Sequence, residues 1–485
     1  MESAKNILQL TDTNSEVSNQ EKAFLLHGTD KIPIFTENTS KYSLSFRYLG
    51  RRSHNQPEEP VRLLIKNNGD SVELGPCHVL SDANHDGHGG RLVFTNAVYD
   101  FECLLGKNKI LKLQAPFSDL PQILARKDAI RPSFKEYTAD LTYALSVYKN
   151  LFDEMDSQYS EESEEIKKSV QQAVLNTEGR EFMRFFHEKV EELNHLVRGF
   201  NQKEHQQHGF YFRRQLWNFI LCCALMTRTN LKPRGYAGDS EMMKMIYIDD
   251  YQGDTTFCKL MQKYTVGVPA AQSVRNRRTL IMEMLLKFRQ TNCYATQKRI
   301  KILSVACGPA FEVEDILRSP EDFEKYHFTL LDQDPRALDD ANRFISSIEN
   351  KFDAHAKIDY ANISVRLMLG KTPFKTDPGK FHFIYSMGLF DYLSTPVAKA
   401  IINKLYQMLI PGGELVVGNF HVSNPSKPFM EYWGDWHLIH RTEQEFKNLL
   451  LESSAAQKSV IFEDSGSQMF LDIKKSTSPR QPAAN

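Results

Sequence analysis

The period of the apolar positions changes three times along the chain. Residues 1–38 are polar and broken by Thr, Ser and Asn, which predicts disorder. Over 43–113 short β-like pieces alternate with turns. Strands are expected at 61–65, 71–74, 91–98 and 110–113, with turn chemistry at Asn68-Gly69-Asp70 and at 86–90. This predicts a small β-rich domain over 39–125. Helical spacing takes over from Phe134 to Thr227. Leu141, Leu145, Tyr148 and Leu151-Phe152 fall three or four residues apart. A charged, solvated break at 156–168 separates them from Phe182, Phe185-Phe186, Val190, Leu193 and Leu196. A helical domain is therefore expected over 126–230. The segment 231–290 is less regular and closes on a helix at 277–288.

From Arg299 strands and helices alternate. Strands are expected at 300–306, 328–331, 364–369, 381–385 and 414–420. Helices are expected to run through 317, over 335–348 and over 396–409, the last stopped by Pro411-Gly412-Gly413. Such alternation predicts an α/β, Rossmann-like, doubly wound and mostly parallel sheet over 291–473. Residues 474–485, which include STSPRQPAAN, are expected to form a flexible tail.

Composition narrows the classes. With 485 residues and 41% hydrophobic positions, two or three domains with sizeable cores are expected. Sixty Lys plus Arg balance 61 Asp plus Glu. No global basic field gathers nucleic acid or an anionic membrane, so neither is expected as a partner. No run nears the roughly 18 apolar residues of a membrane span, so no stable insertion is expected. The first ten residues lack a basic start and an apolar core, which argues against a secretory signal. Seven scattered cysteines without C-x-x-C suit reduced thiols in a cytosol and predict no metal site.

The densest chemistry lies after the first strand of the α/β segment. Ser304-Val305-Ala306-Cys307-Gly308-Pro309-Ala310 is a strand end and a tight turn, and Asp332 ends the next strand. A turn that admits a ligand beside an acid that takes ribose hydroxyls is how such sheets hold an adenosine. The full G-x-G-x-x-G is missing, and so is a phosphate-binding G-K-[ST]. A nucleoside without phosphate fits better. Asp332 also suits the cap of a helix starting at Pro335.

These residues resemble the class I S-adenosylmethionine-dependent methyltransferases. The family's loop reads D-x-G-x-G-x-G, often with C-G-P-G. Here Gly308 keeps the middle glycine, while Ala306, Ala310 and Ser304 replace the flanking glycines and the acid. Glu312 is the candidate replacement for that acid. Asp332-Gln333-Asp334-Pro335 matches the D-x-[SD]-P after the second strand. The segment 383–393 matches the fourth strand with its exit loop, and Leu409-Ile410-Pro411-Gly412-Gly413-Glu414-Leu415 matches L-x-P-G-G-x-L. The resemblance covers about 295–472. It implies S-adenosylmethionine held by Ala306, Cys307, Gly308, Pro309, Glu312, Asp332, Gln333, Met387, Gly388 and Leu389.

Acceptor-side candidates lie in two places. One is 419–425 with 432–437, where His421 is a candidate base or hydrogen-bond donor beside Trp433 and Trp436. The other is 232–239 with Arg275, Arg277 and Arg278, where Arg234 and Arg275 suit an anionic acceptor. His421, Tyr236 and Arg234 are the catalytic candidates, and 231–290 would then cap the acceptor side. K-P-R-G-Y-A-G-D, A-C-G-P-A-x-E and N-P-S-K-P-x-M-E-Y-W together resemble bacterial hydroxy-fatty-acid methyl ester synthases of quorum signalling. That implies carboxyl O-methylation of a long-chain acid, with a small acid or lipid as partner. Methylation of another small molecule or of a protein remains open. So do a non-catalytic S-adenosylmethionine or lipid sensor and a homodimer. Arg47-Tyr48-Leu49-Gly50-Arg51 is similar to the R-x-x-x-R of cyclic-di-GMP-binding PilZ barrels, without a convincing D-x-S-x-x-G partner.

Overall fold

The computed structural model describes residues 22–40, 43–49, 60–67, 70–80, 89–94, 124–290, 299–365, 381–450 and 456–477. The chain divides into two compact units, 1–128 and 129–485.

The first unit contains a closed six-stranded barrel. Its strands are β1 (Lys22–His27), β2 (Asp30–Ser40), β3 (Ser43–Tyr48), β4 (Val61–Asn67), β5 (Asp70–Leu80) and β6 (Gly89–Phe94), in the order β1-β2-β3-β6-β5-β4. Every neighbouring pair is antiparallel. Alternate residues such as Val61, Leu63 and Ile65 point inward and are buried. Closure leaves no free sheet edge. The expectation of disorder through residue 38 is corrected here. β1 and most of β2 lie within that stretch, and Ala23, Leu25 and Ile34 enter the barrel core. The apolar runs Ala23-Phe24-Leu25-Leu26 and Ile32-Pro33-Ile34-Phe35 are only four residues long and lie in an otherwise polar stretch. Arg47 lies on β3, whereas Arg51 and the strand expected at 110–113 fall outside the described residues.

The second unit starts with helices Pro132–Gln158, Glu164–Asn176, Glu178–Leu196 and Gln202–Gln215. They bury an aromatic cluster that includes Phe134, Phe182, Phe186 and Phe212. The segment that looked irregular is mostly helical, with helices Ser240–Ile248, Thr256–Gly267 and Pro269–Gln290. Asp239 and Thr255 cap the first two by accepting a backbone N–H.

The remainder is an α/β Rossmann-like domain. Its seven strands are β7 (Ile300–Val305), β8 (Tyr326–Asp332), β9 (Lys357–Asn362), β10 (Phe381–Ser386), β11 (Leu409–Phe420), β12 (Ala456–Phe462) and β13 (Gln468–Lys475). They are ordered β12-β13-β11-β10-β7-β8-β9. β9, β8, β7, β10 and β11 are parallel, and β13 is antiparallel to both β11 and β12. Helices cover both faces, so all six residues of β10 are buried.

Three details differ from the sequence expectations. A strand not expected from the sequence, β9, follows β8, while most of the strand expected at 364–369 lies outside the described residues. The β9 sequence KIDYAN is polar because it lies at the sheet edge and is partly exposed. Residues 366–380 are outside the described set. Pro411-Gly412-Gly413 does not precede the fifth strand but lies within β11, at an irregularity in its pairing with β10. Lys474 and Lys475 belong to β13 rather than to a tail. Among the described residues no helix is long and apolar enough to cross a membrane.

Candidate functional site

The chain leaves β7 toward β8 on one side and leaves β10 toward β11 on the other. Such a switch opens a crevice at the carboxyl ends of the strands. A cleft of about 460 Å³ lies there, within the usual size of a small-molecule site. Its floor comes from Ala306–Pro309, Asp332, Gln333 and Met387–Leu389. Its other wall comes from Arg234, Tyr236, Met243, Tyr247, Arg277 and Trp436. The structure thus brings all ten cofactor-side candidates to one cavity, together with Arg234 and Tyr236.

The loop after β7 has an alternating backbone. Ala306, Gly308 and Ala310 have φ of 55°, 56° and 53°, all left-handed. Alanine tolerates that conformation at a cost of roughly 1–2 kcal/mol per residue. The left-handed conformation that glycine favours is therefore adopted by alanine at two positions of this loop. A Cβ built on Gly308 would meet nothing within 4 Å, so the loop is open above this residue.

Asp332 is buried at the end of β8. Its Oδ2 accepts the Gly308 N–H and its Oδ1 the Asp334 N–H, each at 2.9 Å. Burial raises its pKa above the usual 3.8, and these amides oppose the rise. A carboxylate has about four acceptor sites, so capacity remains for a diol. Asn362 fixes the strand end by donating to the carbonyls of Asp332 and Gln333, both at 3.1 Å.

Glu312 opens the short helix Glu312–Ile316. It is 1% exposed, and Tyr385 donates its hydroxyl to Oε1 at 2.7 Å. Burial raises the carboxyl pKa. Ser304, at the position of the family's acid, lies buried on β7 and is not part of the cleft wall.

The acceptor-side candidates separate. Arg234 lines the cleft but is already engaged, with Asp334 Oδ2 at 2.7 Å and Ser240 Oγ at 2.6 Å. Asp334 also caps the helix Pro335–Phe352 by accepting the Arg336 N–H. Arg234 therefore joins two elements rather than waiting for an anion. Tyr236 lines the cleft, and burial, then Asp332 and Asp334, raise its pKa and keep the phenol protonated.

His421 is corrected. It lies outside the cleft wall, with Nδ1 2.6 Å from Ser423 Oγ and its ring against Phe462 at 5.1 Å. β11 ends at Phe420, whose side chain faces the cleft, and the next residue turns away. Arg275 is corrected as well. It donates to the carbonyls of Ile246 and Val266 outside the cleft, and Arg278 pairs with Asp315 and Glu314. Tyr432 and Trp433 are fully buried in the helical core, while Trp436 reaches the cleft.

Hydrogen bonds tie the wall together. Trp436 Nε1 donates to the Tyr392 hydroxyl at 2.9 Å, which donates to the Ala237 carbonyl at 2.7 Å. Asp391 Oδ1 accepts the Phe420 N–H at 2.6 Å. Burial pushes its carboxyl up to about 7. Asp391-Tyr392 sits in the exit loop of β10, the one signal that could have found it. Tyr247 and Met243 come from a helix with no signature.

No family model matches this chain, and no curated protein matches its sequence. Similar solved structures exist. A possible exported protein from Bordetella parapertussis shares 16% identity over 49% of this chain and 79% of its own, with a TM-score of 0.37. The N-methyltransferase NodS from Bradyrhizobium japonicum, in complex with S-adenosyl-L-homocysteine, shares 17% over 42% and 87%, with a TM-score of 0.29. The magnesium protoporphyrin IX methyltransferase ChlM from Synechocystis, with bound S-adenosylhomocysteine, shares 10% over 43% and 87%, with a TM-score of 0.31. At these identities and TM-scores the likeness decides nothing about the chemistry of this cleft, which rests on its own residues.

Proposed function

We propose that this protein is an S-adenosylmethionine-dependent methyltransferase acting on a small acid, with a hydroxy fatty acid as the favoured acceptor. The observation that carries the reading is the Asp332 carboxylate, held by the Gly308 amide at the switch point of the sheet. An acid so placed suits ribose hydroxyls and repels phosphate. The open space above Gly308 accommodates a nucleoside against the loop.

When bound, S-adenosylmethionine supplies a methyl group on a sulfonium. The chain's residues have three tasks. Asp332 orients the ribose. The left-handed loop lets the backbone approach the ligand. Tyr236, Tyr392, Phe420, Trp436 and Leu438 form an apolar wall that orients an acceptor and excludes water. A carboxylate acceptor needs no base, which agrees with a cleft from which His421 is absent.

One observation favours a second acceptor class. Asp391 sits on the cleft wall with a carboxyl pushed up to about 7. Such a group can take a proton from a hydroxyl, so O-methylation of a hydroxylated small molecule is the alternative. Cells expressing the protein, fed methyl-labelled methionine, separate the two. A labelled methyl ester supports the acid and a labelled methyl ether the hydroxyl. No labelled product, with S-adenosylhomocysteine still bound by the purified protein, would favour a non-catalytic sensor.

A further inference from the structure

Cys222 follows the short helix Trp217–Ile220, and Cys258 lies in the first turn of the helix Thr256–Gly267. Both are free thiols and half-buried, with exposed Leu221 and Gly253 beside them. Packing sets one against the other. Cys223 Sγ donates to Gln262 Oε1 at 3.1 Å, and the Leu225 N–H donates to the same oxygen at 3.1 Å. Gln262 stands about one turn beyond Cys258, on the same face of its helix. The segment 222–225 is therefore laid along that face, and the Cys222 and Cys258 thiols hydrogen-bond to each other. The Asn218 carbonyl, 3.3 Å from Cys222 Sγ, is a second acceptor for the Cys222 hydrogen.

The two sulfurs are not equivalent. The Cys258 N–H donates to Thr255 Oγ1 at 3.3 Å, at the positive end of the helix dipole. The hydrogen bond from Cys222 brings the Cys258 thiol down to about 6. Hydrogen bonds from Thr255 and the charge of Lys149 act in the same direction, and burial opposes them. The Cys222 thiol moves up instead, through its bond to the Cys258 sulfur and through burial. Lys149, which pairs with Asp153, acts on both sulfurs. Cys258 is thus the thiolate, the reactive form, and Cys222 keeps the proton.

A thiolate with a protonated thiol in hydrogen-bond contact is the arrangement of an attacking and a resolving cysteine. Bridging two such sulfurs needs little backbone movement. We propose that Cys222 and Cys258 are a site of thiol–disulfide exchange with a small-molecule disulfide, and that they close into a reversible disulfide of their own. The Cys258 thiolate attacks one sulfur of the small disulfide, and the other half leaves as a thiolate. Cys222 gives its proton to that thiolate and attacks the Cys258 sulfur, which releases the second half. The two protein sulfurs are oxidised, and the small disulfide is reduced to two thiols. The new bond ties the start of the helix Ala224–Leu231 to the start of the helix Thr256–Gly267. Neither cysteine lines the cleft, so this chemistry is independent of the cofactor.

Oxidised glutathione is the probe. The reduced 485-residue chain is incubated with it, free thiols are blocked with N-ethylmaleimide, and the peptides are read by mass spectrometry. A peptide cross-linked between Cys222 and Cys258 is expected, and it should disappear on adding dithiothreitol. Cys222→Ser should stop at a glutathione adduct on Cys258, while Cys223→Ala should cross-link as wild type does. In the wild-type chain at pH 7, iodoacetamide should alkylate Cys258 at least about tenfold faster than Cys222. Glutathione adducts on both cysteines without a cross-link would overturn the site. So would two thiols that stay reduced, a cross-link made through Cys223, or faster alkylation of Cys222 than of Cys258.

Discussion

The Gly308 amide donates to Oδ2 of Asp332 at 2.9 Å, tying the loop after β7 to the carboxyl end of β8. The Asp334 amide holds the other oxygen, so the carboxylate is fixed before any ligand arrives. Asp332→Asn would turn one accepting oxygen into an NH2 group that faces a backbone N–H. Losing that buried bond is expected to cost about 1–3 kcal/mol of stability. It should also weaken S-adenosylhomocysteine by roughly tenfold or more. Thermal melts and calorimetry read the two effects. Unchanged values of both would remove Asp332 from the site.

The left-handed alanines predict an unusual gain. Ala306 lines the cleft at φ 55°. Ala306→Gly relieves conformational strain and gives back part of the gain as chain entropy. A net stabilisation of about 0.5–1 kcal/mol is expected, read as a higher denaturation midpoint. Ala306→Val should do the reverse, because a β-branched residue is an outlier at this φ. A destabilised glycine variant would contradict the strain.

Arg234 and Asp334 join the segment before the helix Ser240–Ile248 to the cap of the helix Pro335–Phe352. Their side chains are 11% and 12% exposed. Arg234→Ala leaves a poorly solvated carboxylate next to Asp332. A loss of about 2–4 kcal/mol is expected, with weaker cofactor binding as the second readout. The double variant with Asp334→Ala should recover part of that loss. If the double variant loses the sum of the two single effects, the pair is uncoupled.

Asp391 sets a pH dependence. Its folded pKa is raised from 3.8 to about 7 by burial. Between those values the folded state holds a proton that the unfolded state releases. The group is therefore nearly neutral for stability below about pH 4 and increasingly unfavourable as pH rises through 7. Arg277 and Arg441 limit the effect without cancelling it. Asp391→Asn can still accept the Phe420 amide. Its melting temperature relative to wild type should rise between pH 5 and pH 8. A constant difference across that range would show that the carboxyl does not titrate there.

Much of the cofactor side was legible because backbone chemistry leaves marks in sequence. A strand end, a tight turn with Gly308 and an acid at Asp332 are local features, and local features survive without the fold. The acceptor side was legible only in part. Arg275, Arg277 and Arg278 are neighbours on one helix, yet only Arg277 faces the cleft. Which of three adjacent arginines turns inward depends on helix phase against a sheet folded later in the chain. His421 failed for a related reason, since β11 ends one residue before it and the backbone turns away. The strands of the barrel within 22–38 were missed because their apolar runs, 23–26 and 32–35, are only four residues long and sit among polar neighbours. The hairpin of β12 and β13 also carried no motif.

The central claim is that the cleft binds S-adenosylmethionine through Asp332. Titration of S-adenosylhomocysteine into the purified 485-residue chain, followed calorimetrically, tests it most directly. One molecule per chain is expected to bind, with the heat abolished by Asp332→Ala in protein that remains folded. No heat from the wild-type protein, or undiminished affinity in Asp332→Ala, would contradict it.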